Sequence, residues 1–116
     1  MNTYLMTYGT LRSGKRNNYL LNDATFVGKV KTKPKYRLFD CGHYPCMIES
    51  TDGYSVEGEL YLVNEHTLAV LDQLEGVPVL YKRTTIEIED CPHSVQGYIY
   101  QRDVSRFKEC GKAWHG

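Results

Sequence analysis

The chain has 116 residues, 41% hydrophobic and 24% charged, with 14 basic side chains against 14 acidic ones and a formal net charge of +0. That length holds one domain with a single modest core, and the composition is that of a globular chain rather than a disordered or membrane one. Neutrality removes the electrostatic footprint of a nucleic-acid or anionic-membrane binder, and Met1-Asn2-Thr3-Tyr4 lacks the layout of a signal peptide, so the expected setting is the cytoplasm, with no nucleic-acid or membrane partner.

In chain order, Thr3 to Thr7 carries the apolar run Tyr4-Leu5-Met6 and reads as a core strand. The segment Tyr8-Gly9-Thr10-Leu11-Arg12-Ser13-Gly14 then breaks the pattern. Two glycines bracketing four residues can curl the backbone so that successive N–H groups face one concavity, suited to an anion or a developing oxyanion. An ordinary strand-to-loop turn fits the same residues. Gly9 to Lys15 also matches the first seven places of the phosphate-cradling pattern G-x-x-x-x-G-K-[ST]. The eighth place is Arg16, which cannot hold Mg²⁺, and only a short helical piece, 16–21, follows; nucleotide binding is therefore the third reading of this segment.

Strands are expected over 24–32, 36–39, 47–50 and 56–63, separated by Lys33-Pro34, the turn-rich 40–45 and Thr51-Asp52-Gly53. One helix stands out. Asn64 is its N-cap, Glu65 complements the dipole, Leu68, Leu71 and Leu74 with Ala69 and Val70 form its apolar stripe, and Gly76 with Pro78 stops it. Residues 80–89 and 94–102 read as two more strands, and the tail from Val104 has Phe107 and Trp114 available for docking. Strands outnumber helices and do not alternate with them. The expected fold is α+β: a small, strongly bent mixed β-barrel of about six or seven strands with one main helix, occupying 1–116 as one domain. Gly28, Gly58 and Gly97, each inside a strand, allow the sheet to coil.

The four cysteines, Cys41, Cys46, Cys91 and Cys110, are an even count that two disulfides could use; a reducing compartment favours free thiols, and the sequence leaves free or paired open. Cys41-Gly-His43 and Cys91-Pro-His93 do not have the spacing of a structural zinc site, so no metal is expected.

Glu75 is the candidate reactive group. It falls in the last turn of the helix, where the dipole disfavours a carboxylate by roughly 0.3–1 kcal/mol and raises its basicity. It also lies beside the apolar stripe, four residues from Leu71, so it is a candidate general base. A solvated surface glutamate fits the same position. Asp72, one turn earlier, reads as solvent-facing.

Tyr8-Gly9-Thr10-Leu11, Tyr44-Pro45, Val56-Glu57-Gly58-Glu59-Leu60-Tyr61, Leu71-Asp72-Gln73-Leu74-Glu75-Gly76 and Tyr81-Lys82-Arg83, in that order and spacing, resemble the γ-glutamylcyclotransferase family, and within it the γ-glutamylamine cyclotransferase (AIG2-like) branch. The resemblance runs from about Tyr4 to Tyr100. It implies a small β-barrel and a reaction that turns a γ-glutamyl amine into 5-oxoproline and a free amine without a cofactor. It implies Glu75 as acid/base and Tyr8, Gly9, Thr10, Leu11 and Tyr81 as substrate-binding residues. The short stretch before Tyr4 and the short 40–53 region depart from longer relatives and leave the leaving amine open. A non-catalytic small-molecule binding or regulatory module on the same fold is the alternative. Neither the oligomeric state nor the pathway follows from these residues.

Overall fold

A computed structural model describes residues 2–116. Its first strand, β1 (Asn2–Thr7), is followed by β2 (Thr25–Lys31), β3 (Tyr36–Asp40), β4 (Pro45–Glu49) and β5 (Glu57–Asn64). Helix α1 (Glu65–Leu74), β6 (Tyr81–Ile86), β7 (Val95–Tyr100) and a two-residue β8 (Lys108–Glu109) complete the chain, with a 3₁₀ turn at Asn18–Leu21. Five strands form one mixed sheet in the order β2-β5-β1-β7-β6, in which only β1 and β7 run parallel; the other three form a small antiparallel sheet, β4-β3-β8.

β1 sits in the middle of the large sheet, which explains its continuous apolar run. Side chains alternate across a strand, so Leu5 packs with the helix-side cluster of Val63, Leu68 and Leu71, while Met6 packs on the opposite face with Leu38, Met47 and Val95. Both are fully buried. Gly58 lies opposite the same strand, where a β-carbon would come within 2.3 Å of the Thr7 carbonyl oxygen. Close approach, rather than a bulge, is its role.

The sheet is strongly bent but does not close into the expected barrel. Its edge strands β2 and β6 meet only beyond their ends, at the Thr32–Ile88 bridge, where Lys33 N–H donates to the Glu87 carbonyl over 2.9 Å and Glu89 N–H to the Lys31 carbonyl over 3.0 Å. Along the rest of their length the edges diverge. β4 packs against β7, which seats the small sheet on the large one.

Helix α1 begins as expected, with Asn64 Oδ1 accepting from Thr67 N–H at 2.8 Å. It ends at Gly76, whose φ of 64° lets the chain leave the helix while Val77 N–H returns to the Asp72 carbonyl at 3.0 Å. The buried face differs from the expected stripe. Thr67, Leu68 and Leu71 point inward, whereas Val70 and Leu74 are exposed, because the helix touches the sheet along a narrow line.

The tail docks: Trp114 is buried with its indole N–H toward Asp40 Oδ1 at 3.4 Å, and β8 adds to β3. The cysteine expectation is half corrected. Cys41 and Cys46 form a disulfide, because the β3–β4 hairpin sets Phe39 opposite Cys46 and brings the two Cα atoms to 6.4 Å. Cys91 and Cys110 are free.

Candidate active site

Where β1 ends, the chain turns sharply, and the hydrogen bonds of that turn are one-sided. The carbonyl of Gly9 accepts from Arg12 N–H at 3.1 Å, that of Thr10 from Asn17 N–H at 3.0 Å, and that of Leu11 from Asn18 Nδ2 at 2.8 Å. The N–H groups of Gly9, Thr10 and Leu11 donate to no described residue. All three residues are buried. Buried backbone donors in folded proteins are nearly always paired, so three consecutive open ones are unusual.

Gly9 owes its identity to crowding. Its φ is not in the left-handed region, unlike that of Gly14 (φ 79°); instead a β-carbon at position 9 would meet the Pro45 ring at 2.6 Å. The expectation that both bracketing glycines supply positive φ therefore holds for Gly14 alone. Lys15 turns away from the loop, donating to the Gly116 carbonyl at 3.1 Å and lying over the Trp114 ring. The phosphate-loop reading loses its lysine as well as its hydroxyl.

Gly9, Thr10 and Leu11 line a cavity of ≈ 40 Å³ together with Glu75 and the side chains of Tyr8, Tyr44, Tyr81 and Tyr98. A volume of this order holds a few water molecules, so the pocket is compact. Tyr44 and Pro45, at the start of β4, form the wall that has to give for anything larger. A wider groove of ≈ 790 Å³ runs outside β2 and β5, but it is open and does not touch Glu75; one ion pair along it is Lys31–Glu89 at 3.6 Å.

Glu75 caps the helix, its own N–H donating to the Leu71 carbonyl at 2.9 Å, and is only partly exposed. Its carboxylate accepts no hydrogen bond from a described residue. Burial pushes its pKa up to about 7. The cause is loss of water: an unsolvated carboxylate with no donor is costly to ionise.

Three tyrosines surround it, and each hydroxyl proton is spent elsewhere. Tyr8 donates to the Tyr98 carbonyl at 2.6 Å, Tyr81 to the Pro45 carbonyl at 2.8 Å, and Tyr98 to Asp72 Oδ1 at 2.8 Å. Burial raises the pKa of all three phenols, and the nearby Glu75 charge adds to that, so they stay neutral.

All six residues singled out in the sequence thus come together on one cavity: Glu75, Tyr8, Gly9, Thr10, Leu11 and Tyr81. Tyr98 escaped sequence reasoning because a tyrosine in an alternating strand carries no signal of its own. Tyr44 and Pro45 stood in the motif set, but only the fold shows that they form a wall. Asp72 is not solvent-facing as expected: it takes two hydrogen bonds from Arg83, at 2.9 and 3.1 Å, besides the one from Tyr98.

A bent mixed sheet with one main helix, and a cavity at the end of the central strand lined by one carboxylate and the Gly9–Leu11 loop, define a small α+β protein. The family model described as gamma-glutamyl cyclotransferase, AIG2-like, matches residues 5–115, and the chain belongs to that family. It is 31% identical over 118 residues to the human protein named gamma-glutamylaminecyclotransferase, covering 84% of this chain and 77% of that protein. It is 32% identical over 105 residues to the gamma-glutamylcyclotransferase family protein YtfP of Escherichia coli K12, covering 90% and 88%. The crystal structure of an AIG2-like protein from Mus musculus superposes with a TM-score of 0.74 at 29% identity, over 87% of this chain and 77% of that one. Among the described residues no helix is long and apolar enough to cross a membrane.

Proposed function

We propose that the chain converts a γ-glutamyl amine into 5-oxoproline and the free amine, with Glu75 as the general acid/base. The observation that carries this reading is the pairing, across one cavity, of an undonated carboxylate of pKa about 7 with three open N–H groups.

The substrate's α-amine is an ammonium ion near neutral pH and cannot attack until it loses a proton. Ionised Glu75 takes that proton. The free amine then adds to the γ-carbonyl, closing a five-membered ring, and the carbonyl oxygen becomes an oxyanion. Addition leaves the ring nitrogen with two hydrogens and a positive charge. Glu75 hands its proton to the leaving nitrogen, and collapse of the intermediate expels that amine. The carboxylate so freed takes the second proton from the ring nitrogen and passes it to the amine, which departs as an ammonium ion, so the lactam keeps one N–H and the carboxylate is regenerated. A group with a pKa near the working pH can both accept and donate, which is what the two halves of the reaction require.

Among the described residues no cationic side chain lines the cavity, so the open N–H groups of Gly9, Thr10 and Leu11 are the donors available to the α-carboxylate and the oxyanion. Tyr8 and Tyr81 act as walls that bend the glutamyl chain back on itself. An intramolecular attack held in the right geometry gains an effective molarity on the order of 10⁵ M or more, so shape supplies much of the rate. Proton transfer is handled by Glu75 alone, and no step calls for a cofactor. The Leu74–Val79 segment exposes Leu74 and Val79, and the leaving amine is not specified by the cavity itself.

The test is incubation with a panel of γ-glutamyl amines and measurement of 5-oxoproline. Release by the wild type and its loss in Glu75→Gln support the reading. Silence across the panel, with 5-oxoproline still bound in calorimetry, would replace it with a non-catalytic binding module.

A further inference from the structure

We propose that Arg12 is a positioning residue: its guanidinium ties the Gly9 carbonyl to the C-terminal tail and so holds the Thr10 N–H toward the cavity. The functional meaning of this tie rests on the reading of the Gly9–Leu11 loop as the donor to substrate, but its geometry stands independently.

A trans peptide points its carbonyl and its N–H in opposite directions, so fixing one end fixes the other. The Gly9–Thr10 peptide is trans. Both lone pairs of its carbonyl oxygen are engaged by one residue, for Arg12 N–H donates at 3.1 Å and Arg12 Nε at 3.2 Å. Gly9 and Thr10 line the Glu75 cavity, whereas Arg12 lines the open groove outside β2 and β5. The carbonyl thus points to the Arg12 side, and the Thr10 N–H, at the far end of the same peptide, points away from it. That N–H donates to no described residue.

The backbone bond from Arg12 closes a tight turn and does not depend on the side chain. What the side chain adds is an anchor outside the loop, because Nη2 donates to the Trp114 carbonyl. The tail that carries this carbonyl is itself fixed. Trp114 is buried, Glu57 N–H donates to the Lys112 carbonyl at 2.7 Å, and Cys110 N–H to the Leu38 carbonyl at 2.9 Å. Arg12 is half-buried, and among the described residues its hydrogen bonds go to carbonyls alone, with no carboxylate in ion-pair contact. A guanidinium presents its donors in a rigid planar fork, so binding two carbonyls at once fixes the group, and the Gly9 carbonyl with it, as a flexible ammonium cannot. Lys15 holds the same tail through the Gly116 carbonyl and the Trp114 ring without bonding to the loop carbonyls, which separates tail docking from loop positioning.

The test reads the peptide itself, by ¹⁵N relaxation of the backbone amides without ligand, and then its consequence, by calorimetry with 5-oxoproline. The proteins are wild type, Arg12→Met, Arg12→Lys and Lys15→Met, with thermal melts to verify folding. In Arg12→Met the Thr10 order parameter is expected to fall from about 0.85 to below about 0.6, while the amides of β1 and α1 keep theirs. Affinity for 5-oxoproline is expected to weaken about tenfold, the scale of one hydrogen bond to a carboxylate. Arg12→Lys keeps the stem and the charge but must divide one nitrogen between two carbonyls; it is expected to show both changes at reduced size, and it decides the matter if Arg12→Met does not fold. Lys15→Met is expected to alter neither readout. A Thr10 amide that stays ordered in both Arg12 variants overturns the proposal, as does a mobile one with unweakened affinity. Equal loosening of Thr10 in Lys15→Met overturns it too, by assigning the effect to tail docking. Neither readout needs turnover, so a wild type silent on every γ-glutamyl amine would refute the catalytic reading and leave this outcome legible, whereas a wild type that does not bind 5-oxoproline overturns both.

Discussion

Gly9 and Pro45 pack so closely that a β-carbon on residue 9 would lie 2.6 Å from the proline Cγ and 2.7 Å from its Cδ. The donor loop and the first residue of β4 are thus fitted to each other, and Tyr81 fastens the fit from the other side through its bond to the Pro45 carbonyl. Gly9→Val is expected to displace Pro45, destabilise the fold by roughly 1–3 kcal/mol in urea unfolding and weaken 5-oxoproline binding in calorimetry. Unaltered affinity would detach the loop from substrate binding.

Glu75→Gln keeps the side-chain shape and removes the proton acceptor. Release of 5-oxoproline is expected to fall by about a hundredfold or more, the range that general acid–base groups contribute. A folded variant with substantial turnover would refute the assignment.

The raised pKa of Glu75 fixes the sign of two pH effects. In kcat/KM, activity is expected to fall as pH drops through about 7, because the base must be ionised to take a proton from the substrate. Stability runs the other way. The folded state holds the Glu75 proton more tightly than the unfolded chain, whose reference value is 4.5, so the benefit is fully present below 4.5 and is lost as pH rises through about 7. The difference corresponds to about 3 kcal/mol. Glu75→Gln should therefore melt higher than wild type at pH 8 and level with it at pH 4. Equal Tm differences at both values would contradict the buried-carboxylate picture.

The Cys41–Cys46 disulfide closes a short loop that carries Tyr44 and leads into Pro45, both on the wall of the cavity. Treating the oxidised protein with a dithiol should raise the number of titratable thiols beyond Cys91 and Cys110 and cost roughly 2 kcal/mol, the entropy of so short a loop. Unfolding in the presence and absence of reductant measures the cost, and an unchanged thiol count on unfolded protein would show that the pair is not bonded.

Much of the fold is legible in the chain because it is written locally. Asn64 as cap, Gly76 as stop and the alternating strands each follow from neighbouring residues, and each lies within a few positions of its expected place. The carboxylate at the helix end was visible as misplaced charge. The sequence offers two sources for its basicity, the helix end and a place beside the apolar stripe, and the folded chain shows burial at work.

What the sequence determined on its own was the family motif set, the strand-rich class and the six candidate residues that the folded chain gathers on one cavity. Tertiary structure alone decided that β2 and β6 fail to close a barrel, that Cys41 and Cys46 face each other, and that Asp72 turns inward to Arg83 and Tyr98. The physical reason is distance along the chain. Caps, turns and alternation are settled among residues a few places apart, but sheet closure and the partner of a carboxylate depend on segments tens of residues away, whose approach only the packed core sets.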